Sequence, residues 1–337
     1  MKTAVVILNW NGKKLLQEFL PSVIENSKEA TVYVADNAST DDSILFVKQT
    51  FPQVRIIQNL QNSGYAKGYN DALIGLEEEL FILLNNDVET PSGWLQPLIQ
   101  CFENQPNTAA AQPKILDYTQ KDFFEYAGAA GGFLDKFGFP YCRGRIFDRI
   151  EKDRGQYDDE IPIFWASGAC LAVRRSVFHE SGGLDEDYFA HQEEIDLCWR
   201  IKNLGYMIKY VGASRVFHKG GSTLSNSSPR KTFLNFRNSL FNLLKNTPGF
   251  KTWIYLFFRL MMDGLAGILF LIKLKPKHTF AILKAHISFY GKLPKMVKKR
   301  KTITKKEQPL PFSIVYQYFI LGKKFYTDLN KIDNKLS

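Results

Sequence analysis

Leu80-Phe81-Ile82-Leu83-Leu84-Asn85-Asn86-Asp87 decides the fold: five consecutive apolar residues run without interruption into two amides and a carboxylate. An apolar run of that length, closed by turn-forming residues, reads as a strand buried on both faces. Similar Val- and Ile-rich runs precede it at residues 3–8, 31–35 and 54–57, each separated from the next by enough chain for a helix. The resulting βαβα rhythm predicts an α/β fold with a mainly parallel sheet, right-handed crossovers and helices on both faces. Residues 94–102 read as a further helix and 109–115 as a further strand. Ligands of open parallel sheets gather at the carboxyl ends of the strands, and here those ends carry Asn9, Asp36 and Asp87.

Downstream the pattern is less regular. Residues 116–163 are rich in Gly, Asp, Arg and aromatics without a clean period, so loops with short strands are expected there. Residues 164–174 read as a buried strand, 193–204 as a helix ended by Gly205, and 207–211 as a short strand leading to His218.

Five motifs carry chemistry. At the second strand end, Asp36-Asn37-Ala38-Ser39-Thr40-Asp41 offers a carboxylate to a base N–H or ribose hydroxyl; the alternative is a turn and a helix cap. Asn62-Ser63-Gly64-Tyr65-Ala66-Lys67-Gly68-Tyr69-Asn70 pairs glycines that admit close backbone approach with a cation for a phosphate; the alternative is a turn with a solvated lysine. Asn85-Asn86-Asp87 offers oxygen ligands to a hard divalent cation that shares its shell with substrate phosphates, or makes an ordinary turn. Glu193-Glu194 opens a helix, where acids are favoured by the dipole in any case, and one of them is a candidate general base. His218, followed by Lys219-Gly220-Gly221, offers an imidazole to a metal site or stands as a structural histidine.

The 337 residues allow one large domain or two ordinary ones, and 45% hydrophobic with 23% charged residues excludes wholesale disorder, collagen and coiled coil. Four scattered cysteines without a CxxC pair argue against a zinc ribbon or disulfide scaffold and predict reduced thiols. Residues 1–8 lead straight into a strand pattern, so no secretory signal is expected and the chain is placed in the cytoplasm.

The net charge of +10 conceals an asymmetry. Residues 1–229 hold 22 Lys and Arg against 30 Asp and Glu, whereas 230–337 hold 22 against 4. This divides the chain into an acidic catalytic domain, 1–229, and a basic, amphipathic helical region, 230–337, suited to an anionic surface. Helices are expected at 233–244, 253–272 and 278–290, then a basic run at 295–306. Residues 253–272 reach the length of a membrane span but contain Arg259 and Asp263. An interfacial or re-entrant hairpin suits the charge better, with a helical extension packed on the enzyme as the alternative.

Taken together and in this order, Asn9-Trp10-Asn11-Gly12, the Asp36, Gly64 and Asn85-Asn86-Asp87 blocks, Ser167-Gly168-Ala169-Cys170, Glu193-Glu194 and His218 resemble the family 2 inverting glycosyltransferases of GT-A fold. The resemblance is to the rhamnosyltransferase-like bacterial subgroup that builds cell-surface polysaccharides, and it covers residues 4 to about 222. It implies that Asp36 binds the nucleotide base, and that Asn11, Asn62, Gly64, Lys67, Asn70, Asn85 and Asn86 line the donor. Asp87 and His218 would hold a divalent cation, Mg²⁺ or Mn²⁺. Most relatives have Glu-Asp where this chain has Glu193-Glu194, so Glu194 takes the role of base with Glu193 as fallback.

The implied reaction moves a sugar from a nucleotide-diphosphate donor, dTDP-rhamnose or a UDP-sugar, to a glycan or polyprenyl-diphosphate-linked acceptor. The enzyme would sit peripherally at the inner face of the cell membrane. Rival readings fare worse: the first strand is followed by neither a GxGTRL-type loop nor GxGxxG, which argues against a pyrophosphorylase or a dehydrogenase. A non-catalytic nucleotide-sugar or polyanion binder remains the alternative, and the acidic front argues against nucleic acid on the catalytic face.

Overall fold

The computed structural model describes residues 1–220, 228–300 and 309–329. Residues 221–223 of the histidine motif and 301–306 of the basic run lie outside the described residues.

The first half alternates β1 (Thr3–Asn9), α1 (Lys13–Asn26), β2 (Thr31–Asp36), α2 (Ser43–Thr50), β3 (Arg55–Gln58), α3 (Gly64–Leu73) and β4 (Leu80–Asn85). The next elements are β5 (Val88–Glu89), α4 (Leu95–Asn104) and β6 (Thr108–Asp117). The main sheet runs β11-β13-β6-β12-β4-β1-β2-β3, where β11 is Glu160–Pro162, β12 is Cys170–Arg174 and β13 is Met207–His218; β5 pairs with β13. β4, β1, β2 and β3 are mutually parallel and β13 is parallel to β6, while β12 runs antiparallel to β4 and β6. Alternation within β1 explains the two layers: Ala4 and Val6 pack into the core on one face, Val5 and Ile7 into the core on the other. The irregular middle forms a second, four-stranded sheet from β7 (Gly132–Leu134), β8 (Pro140–Cys142), β9 (Arg145–Ile146) and β10 (Arg149–Ile150). All four cysteines are buried and unpaired.

Two strand readings need correction. Of 164–174, only Cys170–Arg174 is strand, because Ser167 N–H bonds the Gln112 side chain (3.0 Å) and the Gly168 carbonyl accepts from the Tyr65 hydroxyl (2.7 Å) in place of ladder partners. Conversely, β13 does not stop at Val211. It continues to His218 through a register shift between Val211 and Arg215, an irregularity that breaks the alternation on which the shorter reading relied.

The later helices are α5 (Arg175–Ser181), α6 (Glu193–Asn203), α7 (Pro229–Asn246), α8 (Lys251–Ile272) and α9 (Pro276–Lys298). α8 is the one helix among the described residues that is long and apolar enough to cross a membrane by length and composition.

Candidate active site

Register brings the strand-end residues together. Asn9 stands opposite Asp36 across β1 and β2, and Leu8 opposite Asn85 across β1 and β4. The Asn9 amide then links the two ends, donating to Asp36 Oδ1 (3.2 Å) and accepting from the Asn86 amide (3.1 Å). Above them opens a cleft of about 480 Å³, within the range of small-ligand sites. Its walls include Asn62, Gly64, Asn85, Asn86, Asp87, Glu193, Glu194 and His218, so most of the residues singled out in the sequence meet in one place.

Four do not reach the wall. Asp36, 2% exposed, lies just behind Asn9 and accepts from Ser39 N–H (2.9 Å) and Oγ (2.5 Å). Asn11 accepts from Thr40 N–H (2.7 Å) and so ties the turn after β1 to the turn after β2. Lys67 pairs with Asp71 at 2.7 Å, and Asn70 clasps the Leu184 backbone through both its amide (2.8 Å) and its oxygen (2.9 Å). Gly64 has φ +85°, and a Cβ there would stand 2.6 Å from the Phe189 carbonyl oxygen, so the backbone contact between these two loops requires glycine.

Asp87 and His218 meet because β5 and β13 pair with Val88 opposite His218. Asp87 Oδ1 and His218 Nε2 are 3.1 Å apart and both residues are nearly buried. Ligands about 2.1 Å from a small octahedral cation stand about 3 Å from one another along an edge, so the pair fits two positions of such a shell. Among the described residues no group of three His, Cys, Asp or Glu forms a complete cage. A magnesium-like ion needs none, since waters and substrate phosphates fill the remaining positions. Glu125, which gave no signal in its aperiodic segment, approaches the other ring nitrogen of His218 at 3.4 Å, where it can orient the ring. With no cation between the two side chains, burial would lower the imidazole pKa but Glu125 and Asp87 outweigh it and push it up to about 10, so a cation taken up there would have to displace a proton from His218.

The two glutamates at the start of α6 occupy different environments. Glu193 is 4% exposed and its Oε2 has no hydrogen-bond partner among the described residues. Burial, and then the neighbouring charge of Glu194, holds its carboxyl well above the usual range. Glu194 is only partly covered, and burial raises its carboxyl to about 7. Because the charge of Glu194 is one of the causes that raise Glu193, Glu194 is the first of the pair to ionise. Asp196, two residues on, faces the other way and is bound by Arg200 (2.8 Å) and Lys245 (2.8 Å). Sequence reasoning also missed Arg230 and Lys231, which begin α7 and supply the cleft with positive charge. Their position in the basic region concealed this.

The family model described as glycosyl transferase family 2 matches residues 4–182. The N-acetylglucosaminyl-diphospho-decaprenol L-rhamnosyltransferase of Mycobacterium tuberculosis is 29% identical over 233 residues, covering 64% of this chain and 75% of that protein. The crystal structure of GalNAc-T7 with UDP, GalNAc and Mn²⁺ has a TM-score of 0.56 at 17% identity and covers 73% of this chain; the chain spans 48% of that protein. The mannosyltransferase PcManGT of Pyrobaculum calidifontis, in complex with GDP-Man and Mn²⁺, has a TM-score of 0.52 at 13% identity, covering 86% of this chain and 87% of that one. At those identities the structural likeness shows a shared fold, the GT-A arrangement of a mainly parallel sheet flanked by helices.

Proposed function

The chain belongs to glycosyl transferase family 2 and is a glycosyltransferase, and from that premise we propose an inverting transfer in which Glu194 is the general base. The observation that carries this reading is a cleft-lining carboxylate at the start of α6, poised near neutrality, in the same cleft as Asp87 and His218. Glu194 takes the proton of an acceptor hydroxyl as that oxygen attacks the anomeric carbon. The nucleoside diphosphate departs from the opposite face and the product is inverted. Asp87 and His218 would hold a divalent cation, Mg²⁺ or Mn²⁺, which when bound would supply positive charge against the departing diphosphate. Asn9 carries Asp36 at the base-binding end, and Asn62, Gly64, Asn85 and Asn86 border the donor. Arg230 and Lys231 add positive charge toward the diphosphate.

The donor is a nucleotide sugar, dTDP-rhamnose or a UDP-sugar, and the acceptor a polyprenyl-diphosphate-linked sugar or growing glycan, as the name of the mycobacterial relative suggests. A panel of UDP-, GDP- and dTDP-sugars tests this. With Mn²⁺, one donor class should bind and transfer to a short-chain polyprenyl-diphosphate-GlcNAc; no turnover from any of them would end the reading.

Membrane attachment is proposed through α8 and α9. Arg259 and Asp263, the charges that weigh against an apolar environment, turn toward the protein, paired at 2.8 Å, with Arg259 also on the Ser239 hydroxyl (2.7 Å). The outward stripe, Phe257, Met261, Leu265 and Ile268 on α8 with Leu283 and Ile287 on α9, is exposed at helical spacing. Lys273, Lys275 and Lys277 project at the turn between the helices. Such a face suits the interfacial layer of an anionic bilayer on its cytoplasmic side. Introducing Phe257→Glu, Leu265→Glu and Ile287→Glu together should cut flotation with phosphatidylglycerol vesicles about tenfold. Unchanged flotation would refute the assignment of this face.

A further inference from the structure

α7 buries an unusual surface for a helix: beside Leu240, Phe241, Leu243 and Leu244 it buries Arg237, Asn238, Asn242, Lys245 and Asn246. A buried amide without partners costs about 1–3 kcal/mol, so the destination of these groups matters. Lys245 and Asn246 reach Asp196 within α6, and Arg237, Asn238 and Asn242 converge on the segment that leads into it. The Asn238 amide donates to the carbonyls of Tyr188 (3.2 Å), Ala190 (3.0 Å) and His191 (2.7 Å). Arg237 donates to the carbonyls of Asp187 (3.2 Å) and Tyr188 (3.0 Å). Asn242 accepts from the Tyr188 hydroxyl (2.7 Å) and donates to the Gln192 side chain (3.2 Å) and carbonyl (3.4 Å).

The segment so held is strained. Phe189, His191 and Gln192 have φ of 67°, 67° and 71°, a left-handed conformation that disfavours residues with a Cβ and persists only where surrounding contacts over-determine it. Gln192 immediately precedes Glu193 and Glu194, and Phe189, Ala190 and His191 line the cleft with them. The direction of the two carboxyls therefore depends on a backbone that three side chains of α7 hold in place.

We propose that Arg237, Asn238 and Asn242 are positioning residues for the catalytic base, and that the catalytic unit extends through α7 rather than ending near residue 229. The proposal rests on Glu194 being the base. The donor-side strand ends of β1, β2 and β4 make none of these contacts, and Gly64 meets the held segment at the Phe189 carbonyl rather than at Gln192, so a defect at the Asn242–Gln192 contact is expected to lower kcat more than donor affinity.

Asn242→Asp keeps the acceptor for Tyr188 and removes the donor to Gln192, and Tyr188→Phe removes a single hydroxyl as the gentler variant. Both are measured in the full chain, with the nucleotide sugar that turns over in the panel, beside Glu194→Gln. The expected result is a kcat lowered about 10- to 100-fold in Asn242→Asp, and in the same direction in Tyr188→Phe, with donor KM within about twofold and the acid limb of the pH–rate profile displaced. Wild-type kcat in both variants, with Glu194→Gln inactive, overturns the positioning role alone. A loss shared equally by kcat, donor affinity and melting temperature overturns it too, marking α7 as packing. Full turnover in Glu194→Gln removes the base assignment and this proposal with it.

Discussion

Glu194→Gln is expected to lower kcat about 10²- to 10⁴-fold while leaving donor binding intact, because the amide fills the same space but accepts no proton. The wild-type pH dependence should carry the same residue's signature. Burial raises the Glu194 carboxyl to about 7, and the base works only when ionised, so kcat/KM should climb through that region and fall about tenfold per pH unit on its acid side. The limb should vanish in Glu194→Gln. Stability gives an independent control. A carboxyl whose native pKa lies above its ordinary 4.5 makes the native state less stable as pH rises through both values, and that cost is complete above about 7. Glutamine carries no such cost, so at pH 8 the variant should melt at or above the wild-type temperature. A lower melting temperature together with lost activity would assign Glu194 to the architecture. Glu194→Asp retracts the carboxylate by one methylene without removing it and should keep measurable turnover.

The parts of this site that were legible in the sequence share a physical origin. Asn9, Asp36 and Asn85-Asn86-Asp87 end parallel strands, and a parallel sheet brings its carboxyl ends to one edge whatever the loops do. His218 is different: its place beside Asp87 depends on the β5 and β13 pairing and on a register shift that interrupts the strand pattern just before it. Glu125 sits in a segment without period and could not have been found by pattern. Lys67 and Asn70 share the motif of Gly64, yet helical geometry turns them to Asp71 and the Leu184 backbone. α7 shows a further limit. Periodicity says which residues of a helix share a face, and a face of Arg, Asn and Lys reads as solvent-exposed. Here it packs on a loop whose carbonyls need donors, so the polar side is buried along with the apolar one. α7 starts at Pro229, where the charge changes sign, and its side chains bond the backbone that leads into α6.

Asp87→Asn is the second variant of large expected effect. The substitution preserves shape, and the Asp87 carbonyl still accepts from Lys219 N–H (3.0 Å), so the turn after β4 should be kept. What is lost is the carboxylate 3.1 Å from His218 Nε2, the one acid in the Asn85-Asn86-Asp87 run. A neutral amide is a poor ligand for a hard cation beside a diphosphate. Titrating nucleoside diphosphate with and without Mn²⁺ by calorimetry should show cation-dependent tightening in the wild type and none in Asp87→Asn. Turnover should fall by at least about 10²-fold, as a Lewis acid at a developing diphosphate supplies several kcal/mol of transition-state stabilisation. Cation-independent binding of the nucleotide base, which is proposed to involve Asn9 and Asp36, should persist in the variant. If the Mn²⁺ dependence survives unchanged, Asp87 holds no cation, and its carboxylate serves to orient His218 between two acids.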